Sequence, residues 1–242
     1  MRKSKNNLKI ALLFIALITI TTTYFYGDLK RFLSPKKNYP ISIGELPEGY
    51  LSHGIDISHY QGNIDWEAFS SDTNNIISYV YCKVTEGETI IDDFWKVNRE
   101  KLKELNIPHG GYHFFHPNTD VSIQVKHFLN HYTPSQTDLP PVLDVETETN
   151  SDKKLIKAMK QWLTLFEEET GRRPVIYTSY HFYITKFKNE FNEYKFWIAN
   201  YNKNVESKLE DENIIYWQYS DNGKVYGIEG PVDLNFSKLN IE

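Results

Sequence analysis

From residue 51 onward, short apolar runs alternate with longer stretches in which apolar residues recur every three or four positions. The short runs predict strands at 54–58, 78–83, 109–115, 142–146, 175–178, 196–199, 214–219 and a last short one at 232–234. The periodic stretches predict amphipathic helices over 65–70, 92–105, 122–131 and 152–170, with a less regular one over 182–191. Strands separated by helices of this length specify βαβ units and a parallel sheet in the α/β class. About eight strands, with helices dwindling toward the C-terminus, favour an irregular TIM-like β/α barrel with fewer helices than strands over an open doubly wound sheet. No G-x-G-x-x-G or Walker-type loop occurs, which argues against a nucleotide-binding fold.

The pattern ahead of residue 51 is different. Residues 1–9 carry Arg2, Lys3, Lys5 and Lys9 without an acid, and 10–27 carry no charge at all. A basic segment followed by an apolar one marks an export signal. An uncharged run of about 18 residues is just long enough to span a bilayer as a helix at roughly 1.5 Å per residue. Tyr24, Phe25 and Tyr26 would then sit at the far interface. The run does not end in small residues of the A-x-A kind, so an uncleaved signal anchor over 1–27 is expected, with a cleaved signal peptide as the alternative. No cysteine closes the run, which excludes a lipoprotein anchor. Lys30, Arg31, Lys36 and Lys37 beyond it oppose the usual charge bias, so the orientation rests on the N-terminal position. Residues 28–50, with Pro35, Pro40 and Pro47, read as a linker, and 51–242 as one domain outside the cytoplasm, membrane-anchored in the cell envelope or secreted.

Composition narrows the chemistry. Seventeen tyrosines and five tryptophans exceed the needs of a core, and rings with a polar edge suit carbohydrate as well as packing. A formal charge of −5 supplies no basic footprint for nucleic acid. The single cysteine, Cys82, excludes an intramolecular disulfide and a thiolate zinc site, and reads as a small buried hydrophobe in a strand. His113 and His116 are three apart, which on a strand puts them on opposite faces, so no metal is expected.

Acids at the strand ends carry the functional signal. In Val142-Leu143-Asp144-Val145-Glu146 the two carboxylates are two apart and project to one side, while Leu143 and Val145 point into apolar packing. Their mutual repulsion should raise one pKa, as a general acid working at neutral pH requires. An exposed strand end could also carry two acids without using them. Asp56 between Ile55 and Ile57 marks the first strand in the same way, and Asp233 between Val232 and Leu234 the last. In a closed barrel those strands are neighbours, so Asp56 and Asp233 can meet at one rim. Tyr112, Tyr177, Trp197, Tyr201 and Trp217 occur at corresponding places and are candidate sugar-stacking rings.

These segments together resemble the family 25 glycoside hydrolases, the Chalaropsis-type lysozymes. The resemblance runs from about His53 to Leu239 and is carried by Gly54-Ile55-Asp56-Ile57-Ser58, Lys83-Val84-Thr85-Glu86-Gly87, Gly111-Tyr112-His113-Phe114, Leu143-Asp144-Val145-Glu146, Val175-Ile176-Tyr177-Thr178, Trp197-Ile198-Ala199, Trp217-Gln218-Tyr219-Ser220 and Val232-Asp233-Leu234-Asn235. It implies hydrolysis of the β-1,4 bond between N-acetylmuramic acid and N-acetylglucosamine in peptidoglycan glycan strands, by a monomer without a cofactor. It makes Glu146 the proton donor, with Asp144, expected to stay ionised, as its electrostatic partner. Asp56 and Asp233 match the remaining acids of the site, and Lys83 joins the rings as a substrate contact. A barrel that binds wall glycans without cutting them, or a hydrolase of a related N-acetylated glycan, is the alternative.

Overall fold

The computed structural model describes residues 43–72, 76–202 and 210–241. The expected signal anchor falls outside the described residues; among them no helix is long and apolar enough to cross a membrane.

Among the described residues nine strands form one sheet: β1 (Ser52–Ile57), β2 (Ile77–Glu86), β3 (Ile90–Ile91), β4 (His109–Phe114), β5 (Val142–Asp144), β6 (Val175–Ser179), β7 (Phe196–Ala199), β8 (Ile214–Gly223) and β9 (Val232–Ser237). The order is β1-β9-β8-β7-β6-β5-β4-β2-β3, and pairing of β1 with β2 closes eight of them into a barrel. The two-residue β3 folds back antiparallel on the end of β2 and is an addition to the expected set. Four helices flank the barrel: α1 (Trp66–Ser71), α2 (Trp95–Glu104), α3 (Val121–His131) and α4 (Asp152–Thr170). The segment expected as a helix over 182–191 is one α-turn, Tyr180–Phe182, running into a π-helical turn, Tyr183–Phe187. Helix starts follow local chemistry: the Asp65 and Asp120 carboxylates accept from backbone N–H groups of the first turns of α1 and α3.

The expectation of a parallel sheet is corrected at two strands, the short β3 and, within the closed barrel, β9. β9 runs antiparallel to both β8 and β1. A parallel return needs a crossover of a dozen or so residues, and the link between β8 and β9 spans only 224–231. The consequence for the site is direct, because this register sets Asp56 opposite Asp233.

Strand alternation sorts side chains into two layers. Outward residues such as Ile55, Ile57, Val80, Cys82, Leu143, Val145 and Ile198 join Trp162, Phe166 and Phe128 of the helices in one continuous outer core. Inward ones, Tyr79, Tyr81, Val142, Val175, Tyr177, Trp197 and Tyr216, fill the barrel. Much of the aromatic surplus is therefore the barrel's own filling beneath the strand ends. Two inward glycines make room for it: a Cβ on Gly54 would lie 2.2 Å from the Tyr79 ring, and one on Gly110 2.4 Å from that of Tyr81. Residues 43–50, expected to end the linker, lie against the barrel, where the Tyr50 ring is buried 5.9 Å from both Trp217 and Phe236.

Candidate active site

The strand ends and the loops following them enclose a cleft of roughly 300 Å³. Asp56, Asp144, Glu146 and Asp233 all line it, together with Lys83, Tyr112, Tyr177 and Trp197. Tyr201 stands beside it, its hydroxyl donating to Gln218 Oε1 at 2.7 Å. Trp217 is the exception among the expected rings. It faces the outer layer, buried against Tyr50 and Phe236, and its indole N–H donates to the Asn200 carbonyl at 2.7 Å. Its neighbours Tyr216 and Gln218 point inward, and alternation turns Trp217 away from the cleft.

The first acid pair is local in sequence. Asp144 is the last residue of β5 and is nearly inaccessible, while Glu146 lies just beyond the ladder with its side chain open to the cleft. The two carboxyls hydrogen bond to each other. Burial, then the charge of Glu146, pushes Asp144 well above the usual carboxylate range. Burial in the concave cleft also raises Glu146, against the Asp144 hydrogen bond and Lys83, which lower it. Asp144, expected to stay ionised, is therefore the deeper and more strongly raised acid of the two. One of its oxygens, Oδ1, is buried without a hydrogen-bond partner.

The second pair is made by topology. Asp56 and Asp233 are directly opposed on β1 and β9 and hydrogen bond to each other. Like charges so placed repel unless a proton is shared. Burial and the charge of Asp56 push Asp233 up to about 9. Burial also raises Asp56, while the Asn235 and Gln218 side chains hold it down by donating to Oδ2 at 2.7 and 3.0 Å.

Lys83 is buried at the cleft wall, paired with Glu86 at 2.5 Å and 5.0 Å from the Phe114 ring. Glu86 in turn pairs with His116 at 3.1 Å. His113 faces the outer core, bonded to Thr85 and Gln124 and stacked on Trp162, and burial pushes it down to about 3, so it stays neutral. No group of three or more His, Cys, Asp or Glu among the described residues is placed to hold a metal ion. Glu86, Phe114, Tyr60, Gln61, Gln218 and Asn235 were not singled out from the sequence as site residues. For the last two a signal existed: Asn235 is two residues beyond Asp233, and Gln218 is a polar position within an apolar strand.

A closed β/α barrel that gathers two pairs of carboxyls and several aromatic rings at its strand ends has the equipment of a glycoside hydrolase. Comparison with known proteins agrees. The sequence model of "Glycosyl hydrolases family 25" matches residues 55–228. The uncharacterized protein YegX of Escherichia coli K12 is 36% identical over 258 residues, covering 100% of this chain and 93% of its own. Lysozyme M1 of Streptomyces globisporus is 29% identical over 197 residues, covering 75% of this chain and 66% of its own. Among solved structures, a family 25 glycosyl hydrolase from Bacillus anthracis superposes with a TM-score of 0.70 at 25% identity, covering 80% of this chain and 91% of its own. A bacterial lysozyme from Streptomyces coelicolor gives 0.66 at 28% identity, covering 76% and 91%. The chain belongs to glycosyl hydrolases family 25, as a hydrolase of the lysozyme type.

Proposed function

We propose that this enzyme cuts the β-1,4 bond between N-acetylmuramic acid and N-acetylglucosamine in peptidoglycan, with Glu146 as the proton donor. The observation that carries the reading is the hydrogen-bonded Asp144–Glu146 pair at the cleft, in which both carboxyls are raised by burial and only Glu146 is open to an incoming glycan. A proton shared across that bond passes to the glycosidic oxygen through Glu146 as the bond to the anomeric carbon breaks. The negative charge left on the pair faces the oxocarbenium-like centre that develops.

A direct carboxylate nucleophile in a retaining enzyme stands about 5–5.5 Å from the acid, and an inverting base about 6.5–9.5 Å away. Asp144 hydrogen bonds to Glu146 and is too near for either role. This favours attack by the substrate's own acetamido oxygen, with net retention after water opens the cyclic intermediate. The unpartnered Asp144 Oδ1 is then the acceptor available to the acetamido N–H. Tyr112, Tyr177 and Trp197 supply walls for sugar faces, Tyr201 a rim contact and Lys83 a cation beside the acid pair. The N-terminal apolar run is read as a membrane anchor that holds this domain, as a monomer, against the wall.

Digestion of purified peptidoglycan followed by mass spectrometry tests the reading. New reducing-end N-acetylmuramic acid is expected, and Glu146→Gln should lower the rate by about 10²-fold or more. Reducing-end N-acetylglucosamine would make it a glucosaminidase, and no product from any wall would make it a glycan-binding barrel.

A further inference from the structure

Four carboxyls share the cleft, and their protons cannot be distributed arbitrarily. The arrangement behind Asp56 indicates how one pair is settled. An indole N–H is a donor only. Trp197 Nε1 lies 2.8 Å from Asn235 Oδ1, which fixes the orientation of that amide. Asn235 Nδ2 must then face Asp56 Oδ2, at 2.7 Å. On the neighbouring strand, where Gln218 is the register partner of Asn235, Gln218 Nε2 faces the same oxygen at 3.0 Å. Its own Oε1 receives the hydroxyls of Tyr177 at 2.8 Å and Tyr201 at 2.7 Å. Two N–H donors therefore converge on one oxygen of Asp56, and each is held in place from behind by a further donor.

We propose that Gln218 and Asn235 are positioning residues that keep Asp56 as the ionised acceptor and fix the proton of the Asp56–Asp233 pair on Asp233. An oxygen that accepts two N–H bonds favours the charged carboxylate, whereas Asp233 faces the acids Asp221 and Glu146 as well as Asp56. Tyr112 and Tyr201 also face the pair, and Lys83 acts on the other acids, Asp144 and Glu146. The inference rests on the glycoside hydrolase reading of the cleft for its consequence. While Asp233 is neutral, Asp56 provides a single fixed negative charge under the reacting sugar. When Asp233 loses its proton, a second charge beside Glu146 makes Glu146 hold its own proton more tightly, so proton donation slows.

The test is carboxyl-carbon NMR of the full chain labelled at aspartate, with Asp56→Asn and Asp233→Asn to assign the signals. In the wild type, Asp56 should be ionised at neutral pH and Asp233 neutral, titrating at about 9. In Gln218→Met and Asn235→Leu the proton should move toward Asp56. On purified peptidoglycan their kcat should fall about 10-fold or more, the scale of one lost hydrogen bond to a charge, with KM within about twofold. If either variant does not fold, Gln218→Glu keeps the acceptor for both tyrosines, removes the N–H and should shift the proton in the same direction. A wild type with Asp56 neutral and Asp233 ionised overturns the proposal, as do variants that retain the wild-type titration. The titrations need no substrate, so an intact proton pattern without turnover would instead count against the lysozyme reading.

Discussion

Gly54→Ala tests whether the tyrosine-filled barrel sets the position of the acid strand. The added Cβ would stand 2.2, 2.3 and 2.5 Å from three atoms of the Tyr79 ring, distances no side chain tolerates. Tyr79 is fully buried, with Tyr216 at 5.5 Å and Tyr81 at 6.2 Å between ring centroids, so it has no free direction in which to move. Nor can β1 retreat freely, because Ile55 and Ile57 are packed into the outer core on its other face. Overpacking of this kind costs about 1–3 kcal/mol, and the absence of an escape route puts Gly54→Ala near 3. For a domain of this size that corresponds to a Tm lower by about 6–12 °C. Tyr79→Leu alone should cost about 2–4 kcal/mol through the space it leaves. In the double variant the new methyl enters that space, and the combined cost should fall short of the sum by about 1 kcal/mol or more. Urea unfolding of the four proteins measures the cycle. Gly54→Ala within about 0.5 kcal/mol of wild type, or strictly additive costs, would refute the reasoning. Because Asp56 is two residues along the displaced strand, the single variant should also lose turnover.

Three further outcomes follow from the same geometry. The folded chain holds a proton on Asp233 up to about 9, which the unfolded chain releases near the ordinary value of 3.8. That contribution is full below about 4 and is lost progressively as pH rises toward 9, by at most about 1.4 kcal/mol per unit. Urea midpoints should therefore fall between pH 6 and 8, and the fall should be shallower in Asp233→Asn; an equal or steeper slope in the variant contradicts the assignment. Trp217→Phe leaves the Asn200 carbonyl without its indole donor and thins the outer core, costing about 1–3 kcal/mol with KM unchanged, whereas Trp197→Phe should reduce kcat. Asp144→Asn should slow peptidoglycan cleavage about 10²-fold or more and move the pH profile, because Glu146 loses the partner with which it shares its proton.

Much of this was legible in the sequence because it depends on local alternation. Asp144 and Glu146 share a side because they are two apart, and the helix over 152–170 appears with the bounds its apolar spacing predicts. Trp217 shows where alternation alone fails. Trp197 and Trp217 sit in similar apolar runs, yet one fills the barrel and the other the outer core. The register between β7 and β8 slips after Phe196, so that Trp197 pairs with Tyr216 instead of Ile215. Such a bulge inserts one residue and reverses the parity of everything beyond it, and no residue type in 214–219 announces it.

The two acid pairs differ for the same reason. The Asp144–Glu146 pair is written within three residues and would survive in any parallel barrel. The Asp56–Asp233 pair exists because the last link is too short for a crossover and forces β9 to close the barrel antiparallel, which sets these two acids face to face. That closure also aligns Gln218 with Asn235, and so brings amide donors from two strands, β8 and β9, behind Asp56 on a third. One carboxyl pair is thus a property of sequence spacing and the other of chain direction. The first draws the Lys83 cation from β2, and the second draws two amide donors from β8 and β9 that hold Asp56 down against its burial.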